Sequence, residues 1–237
     1  MRTSLAVAIV LSFLVLATPA NAEIVARTGT FSGIVVNYKV VLPTGYDPAQ
    51  TYPAILAFAG GGQEMRIVDN VLENHFRSEA ERRGYIVISA AAPNGKLFFQ
   101  EGDKIFPAFL DQMLKTYKVE TGKFHIAGRS NGGLSAFHIA ASYPAYFRSL
   151  TGFPGFLQPA TTVRVEALRP LCMYMHVGEK DPGWRQAMKQ QYDLFRQKGF
   201  RISYAVEPGQ EHSLETLAGT GSKTLFDHFD DAAQNCK

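Results

Sequence analysis

Between Phe124 and Gly133 the chain reads F-H-I-A-G-R-S-N-G-G, and Gly128-Arg129-Ser130-Asn131-Gly132 within it has the spacing G-x-S-x-G. A serine hydroxyl is a weak nucleophile at neutral pH. It becomes effective when a base takes its proton and an acid orients that base. The spacing has a steric reason. A serine at the tip of a sharp strand-to-helix turn holds a strained backbone, so the residues two positions to either side must be small. Gly128 and Gly132 meet that need. The following helix would start at Asn131, whose N–H could stabilise an oxyanion.

The other parts of such a site have candidates elsewhere. Gly60-Gly61-Gly62-Gln63 follows an apolar run directly, so the N–H groups of Gly61 and Gly62 could complete an oxyanion hole. Six histidines are present. His75 and His138 fall on predicted helices, His125 within a strand, and His228 late in the last helix. His176 lies near the end of a buried strand. His212 differs, because it sits in the polar loop Glu207-Pro208-Gly209-Gln210-Glu211-His212 between the last strand and the last helix. The acid should follow a strand between Ser130 and His212. Gly178-Glu179-Lys180-Asp181-Pro182 does so. Asp181, followed by proline in a turn, is the better candidate, and Glu179 is the alternative. The order is then Ser, Asp, His.

The elements that must hold these residues follow from periodicity. Ile24–Arg27 and Ile34–Leu42 alternate and read as an edge hairpin. Apolar runs at Tyr52–Ala59, Tyr85–Ala90 and Phe124–Ala127 read as buried strands, the first of them buried on both faces, and Ser149–Phe153, Leu171–Val177 and Arg201–Val206 read as further strands. Helical spacing predicts helices over Ile67–Arg83, Ile105–Tyr117, the stretch after Ser130, Trp184–Lys198 and Leu214–Asp230. Alternating strands and helices give an α/β domain with a mostly parallel sheet. Gly155–Pro170 has no strong period, so any cap over the site is small. Phe98, Phe99, Phe153, Phe156 and Trp184 are candidates for an aromatic lining, with core packing an equally good account of Phe98 and Phe99.

Of the 237 residues, 1–22 read as a secretory signal: a basic start at Arg2, an apolar run from Leu5 to Ala17, and an A-x-A ending at Ala22. The apolar run is short for a membrane span. Residues 23–237 then form a single domain, secreted or periplasmic. With 24 basic and 21 acidic side chains and no basic stripe, nothing points to nucleic acid. No metal-ligand spacing is visible, and no cofactor is expected. The two cysteines, Cys172 and Cys236, suit a disulfide in an exported protein. One begins a strand at the floor of the sheet, and the other ends a helix returning to that floor. Such a bridge could stabilise by about 4 kcal/mol.

Taken together, these features resemble the α/β-hydrolase superfamily over nearly the whole mature chain. The match is carried by Gly60-Gly61-Gly62, Gly128–Gly132, the Gly178–Asp181 acid loop and His212. It looks most like compact exported esterases related to polyhydroxybutyrate depolymerases and feruloyl esterases, which have a similar Gly-Tyr-Asp-Pro turn (Gly45–Pro48) and Ser-Asn-Gly-Gly elbow (Ser130–Gly133). One departure is Ala59, where that family usually has histidine before the glycines. The resemblance implies an α/β-hydrolase fold with a small or absent cap. It also implies hydrolysis of a small or polymeric ester, with Ser130 as nucleophile, His212 as base, Asp181 as acid, and Gly61, Gly62 and Asn131 around the oxyanion. Acyl transfer, peptidase action or a non-catalytic binding module on the same fold are the alternatives.

Overall fold

The computed structural model describes residues 22–236. The predicted signal over 1–22 therefore lies outside the described residues, apart from Ala22. Eight strands form one sheet in the order β1-β2-β4-β3-β5-β6-β7-β8. They are β1 (Glu23–Phe31), β2 (Ile34–Leu42), β3 (Ala54–Phe58), β4 (Ile86–Ala90), β5 (Phe124–Gly128), β6 (Phe147–Gly152), β7 (Cys172–Gly178) and β8 (Ile202–Glu207). β1 and β2 form the expected antiparallel edge hairpin, and β2 also runs antiparallel to β4. From β4 through β3 to β8 every pairing is parallel. All the crossovers in this part return the chain to the same end of the sheet, so the loops after β3, β5, β7 and β8 gather along one edge.

The helices divide between the two faces as the strand alternation dictates. Leu56, Phe58, Ile86 and Ile88 face α3 (Ala108–Thr116), α4 (Asn131–Ser142), α5 (Thr162–Ala167) and α6 (Pro182–Gln197). Ile55, Ala57 and Val87 face α1 (Met65–Val71), α2 (Arg77–Arg83) and α7 (Lys223–Asn235). The period of two along each strand sends neighbouring side chains to opposite cores. α1 and α2 are joined by a π-helical turn, Leu72–Phe76, and the pair ends at Gly84 in the left-handed region.

Several elements differ from the sequence reading. The helix predicted over Leu214–Asp230 begins only at Lys223. Leu214 is left-handed (φ 51°), and two short 3-10 turns, Glu215–Leu217 and Gly219–Ser222, fill the interval. Gly219 and Gly221 weaken helix propagation there. The helix predicted from Ile105 starts at Ala108, after Pro107. The patternless stretch before β7 contains α5, six residues long, which is a small cap element at most. Cys172 and Cys236 form a disulfide between the first residue of β7 and the end of α7. Among the described residues no helix is long and apolar enough to cross a membrane.

Three histidines are buried neutral, with consequences for acid stability. Burial, reinforced by Arg148, holds His125 down at about 3. Burial, reinforced by His176, holds His228 at about 4, and burial also lowers His75. The ordinary value is 6.5, so below it the unfolded chain binds protons that the folded chain refuses. Stability is therefore full above pH 6.5 and falls as pH drops towards 4. Thermal or denaturant unfolding across this window should show a steady decline, and a flat profile would contradict the buried-neutral assignment.

Candidate active site

The turn from β5 into α4 places Ser130 at φ 58°, ψ −122°, a region costly for a side-chain-bearing residue. Its N–H donates to the Pro154 carbonyl at 2.8 Å, which helps hold it there. The neighbouring glycines leave no room for substitution. A Cβ on Gly128 would lie 2.0 Å from the Gly132 carbonyl oxygen, and one on Gly132 would lie 2.2 Å from that of Phe58. The steric requirement read from the spacing is thus met by backbone approaching backbone.

Three sequence-predicted side chains meet at the loop edge of the sheet. Ser130 Oγ lies 2.7 Å from His212 Nε2, and His212 Nδ1 lies 2.5 Å from Asp181 Oδ2. A carboxylate can only accept, so Nδ1 carries the imidazole proton and the Nε2 lone pair faces the serine O–H. The Asp181 side chain is 13% exposed and that of His212 is 39% exposed, so the carboxylate is sheltered while the imidazole is open to solvent. Glu179 has a different place. Its Oε2 accepts the Gly209 N–H at 2.8 Å, tying the acid loop to the loop of His212. A second tie is the Lys180 N–H, which donates to the Gln210 carbonyl at 2.9 Å.

The glycine loop approaches from β3. Asn131 Nδ2 donates to the Gly61 carbonyl at 2.8 Å, linking the elbow to this loop. Among the described residues no carbonyl accepts from the backbone N–H of Gly61, Gly62 or Asn131. The loop is anchored by Gln63, fully buried at φ 56°. Its Nε2 donates to the Ala59 carbonyl at 3.1 Å and to Ser135 Oγ at 2.9 Å, and its Oε1 accepts the Phe98 N–H at 3.1 Å. One buried amide thereby ties the glycine loop to α4 and to the loop after β4. It supplies an anchor in a chain with alanine at position 59. In the sequence Gln63 was only the last residue of a glycine-rich loop, and no local pattern announced its contacts. Gln63→Leu leaves the Phe98 N–H buried without its acceptor. The expected cost is about 1–3 kcal/mol of stability, with a fall in kcat exceeding any change in KM. Denaturant unfolding and ester kinetics measure both.

The aromatic candidates separate into wall and core. Trp184 on α6 lies 4.9 Å from the His212 ring, and Phe156 lies 5.1 Å from Trp184. Both are half-buried. Phe98 and Phe153 are fully buried, the first among Phe58 and Phe106 and the second beside His75 and Phe76, so neither lines the opening. Phe99 is half-buried in the loop after β4. His176 does not face Ser130 either; it turns towards α7.

No protein-family model matches the chain, and no curated protein sequence matches it. Solved structures do. A ferulic acid esterase superposes with a TM-score of 0.71 at 16% identity, covering 90% of this chain and 98% of that one. A thermostable esterase superposes with a TM-score of 0.64 at 15% identity, covering 89% of this chain and 61% of that one. A dipeptidyl aminopeptidase IV candidate from Bacteroides ovatus gives a TM-score of 0.67 at 14% identity, with 89% of this chain covered. This chain spans 36% of its length. At such identities the likeness speaks to the fold.

Proposed function

We propose that this chain, which has the α/β-hydrolase fold, is an exported serine hydrolase that cleaves carboxylic esters through an acyl-enzyme on Ser130. The observation that carries this reading is the continuous contact from Ser130 through His212 to Asp181, with the serine held in a strained elbow. Export is supported by the N-terminal sequence and by the Cys172–Cys236 disulfide, a bond that persists in oxidising compartments.

In the first step Ser130 Oγ attacks the ester carbonyl while His212 Nε2 takes the hydroxyl proton. Asp181 stabilises the imidazolium and keeps its orientation. Negative charge develops on the former carbonyl oxygen. In this reading the N–H of Asn131, with that of Gly61 or Gly62, receives it, reinforced by the N-terminus of α4. His212 then protonates the departing alkoxide, leaving the acyl group on Ser130. Water enters, loses a proton to the same histidine and attacks the acyl carbon; the acid leaves as His212 returns that proton to Ser130 Oγ. The His212 exposure and the six-residue α5 leave the site open, which suits short, aryl or polymeric esters.

The test is labelling with a fluorophosphonate probe. Mass spectrometry should place one adduct on Ser130, formed in parallel with loss of p-nitrophenyl ester hydrolysis. An intact, folded protein that takes no label would favour a binding module on the same fold. Product analysis with competing alcohols and peptides separates hydrolysis from acyl transfer and peptidase action.

A further inference from the structure

Glu207 ends β8 and opens the loop that carries His212, and Thr216 lies just beyond that histidine in the first 3-10 turn. One carboxylate spans the two. Glu207 Oε1 accepts from His176 Nδ1 at 2.8 Å, and Oε2 accepts from Thr216 Oγ1 at 2.9 Å. Behind it, His176 Nε2 lies 2.7 Å from His228 Nε2. The His228 ring stacks on Tyr174 at 4.2 Å, and the Tyr174 hydroxyl donates to Asp231 at 2.5 Å. Because the carboxylate can only accept, Nδ1 of His176 carries its proton. Of the two facing Nε2 atoms, one must then donate and the other accept. The chain Glu207–His176–His228 is a second carboxylate–imidazole array, with His176 buried and its two neighbours half-buried, distinct from the Ser130–His212–Asp181 contact. The His176 side chain is only 5% exposed.

The loop needs such a hold. Its first half is tied to the acid loop at Gly209 and Gln210. Its second half contains Leu214 in the left-handed region, a conformation that persists only when the surroundings impose it. The other polar ties there are the Thr216 N–H donating to Gln210 Oε1 at a long 3.3 Å and His75 Nδ1 donating to the Leu217 carbonyl at 2.8 Å, beside the buried Leu214 and Leu217 side chains. We propose that Glu207 is a positioning residue for His212, its carboxylate clamping the base of the loop through Thr216 while His176, backed by His228, fixes the orientation of that carboxylate. This rests on His212 being the general base. The hydrogen bond from His176 also holds the Glu207 carboxyl below the usual carboxylate range, so the clamp stays ionised at neutral pH. Charged groups facing the array are Asp227 and Asp231 on the helix of His228.

Glu207→Ala and Thr216→Val in the whole protein test this, with Thr216→Ser as the conservative variant. Thr216 is exposed, so its substitution spares the core if Glu207→Ala folds poorly. Both disruptive variants should lower kcat about 10- to 100-fold with KM nearly unchanged, the scale expected when a catalytic group is misplaced. The double variant should be no worse than Glu207→Ala alone, since both remove one interaction. Thr216→Ser should retain the wild-type rate. The acid limb of kcat/KM should move to lower pH, because an imidazolium less well aligned with Asp181 gives up its proton more readily. The low-field proton resonance of the His212–Asp181 hydrogen bond should weaken or vanish. Persistence of that resonance in both variants overturns the proposal, as does a loss of kcat that tracks the unfolded fraction with the acid limb unmoved. If the wild-type protein hydrolyses no ester, the catalytic reading fails, yet the resonance still decides the role of Glu207.

Discussion

Ser130→Ala is expected to lower kcat/KM for a p-nitrophenyl ester by at least about 10⁴-fold, with the protein still folded. The reason is chemical. Without Oγ no acyl-enzyme can form, and His212 is left to activate water without the nucleophile it faces at 2.7 Å. The oxyanion amides and the binding surface persist, so a residual rate above the uncatalysed reaction remains. The backbone stays strained at φ 58° because alanine has a Cβ like serine, so the turn should keep its shape and its near-equal stability. Circular dichroism and thermal unfolding check the fold, and fluorophosphonate labelling should disappear. Retention of most of the activity would remove Ser130 from the mechanism.

Asp181→Asn is the second large effect, expected to cost about 10⁴-fold in kcat with little change in fold. Asparagine keeps the shape of aspartate but can present an N–H to His212 Nδ1. That pushes the imidazole into the opposite tautomer, with Nε2 protonated and unable to accept from Ser130. Stability should survive, because the Asp181 side chain makes no capping bond to α6. Glu179→Gln is the companion experiment. Its carboxylate holds the Gly209 N–H, and an amide oxygen can accept the same bond. That variant should keep most of the rate. A near-normal Asp181→Asn enzyme with a dead Glu179→Gln enzyme would move the acid role to Glu179.

The strands and their glycine punctuation were legible because each depends on neighbours in sequence. A strand buried on both faces is mostly apolar, as at Ala54–Phe58 and, with Ser89 as its one polar residue, Ile86–Ala90. The end of the last helix pair was less legible. Leu214–Asp230 has helical spacing, yet the chain spends Glu215–Ser222 in 3-10 turns, because Gly219 and Gly221 interrupt the run and the histidine loop must be closed before α7 begins. The aromatic residues were legible only in part. Phe98 and Phe153 lie near the site in sequence order, but the side of the loop on which a ring falls depends on the packed neighbours, and both rings fill the core.

What the sequence determines by itself is the local stereochemistry of the elbow. Gly128, Ser130 and Gly132 constrain one another across a few residues, so their spacing already implies a strained turn with backbone contacts too close for any Cβ. It also sets the order of the acid and histidine loops after their strands. The tertiary structure decides which of six histidines reaches Ser130, and which of two carboxylates reaches that histidine. Ser130 and His212 stand 82 residues apart and meet only because β5, β7 and β8 lie parallel in register and deliver their following loops to one edge. The anchoring of Gln63 and the array of Glu207, His176 and His228 belong to the same class. They are contacts between distant segments, set by the geometry of the sheet and its helices, and a polar side chain buried by the fold gives no sign in sequence of the partner that satisfies it.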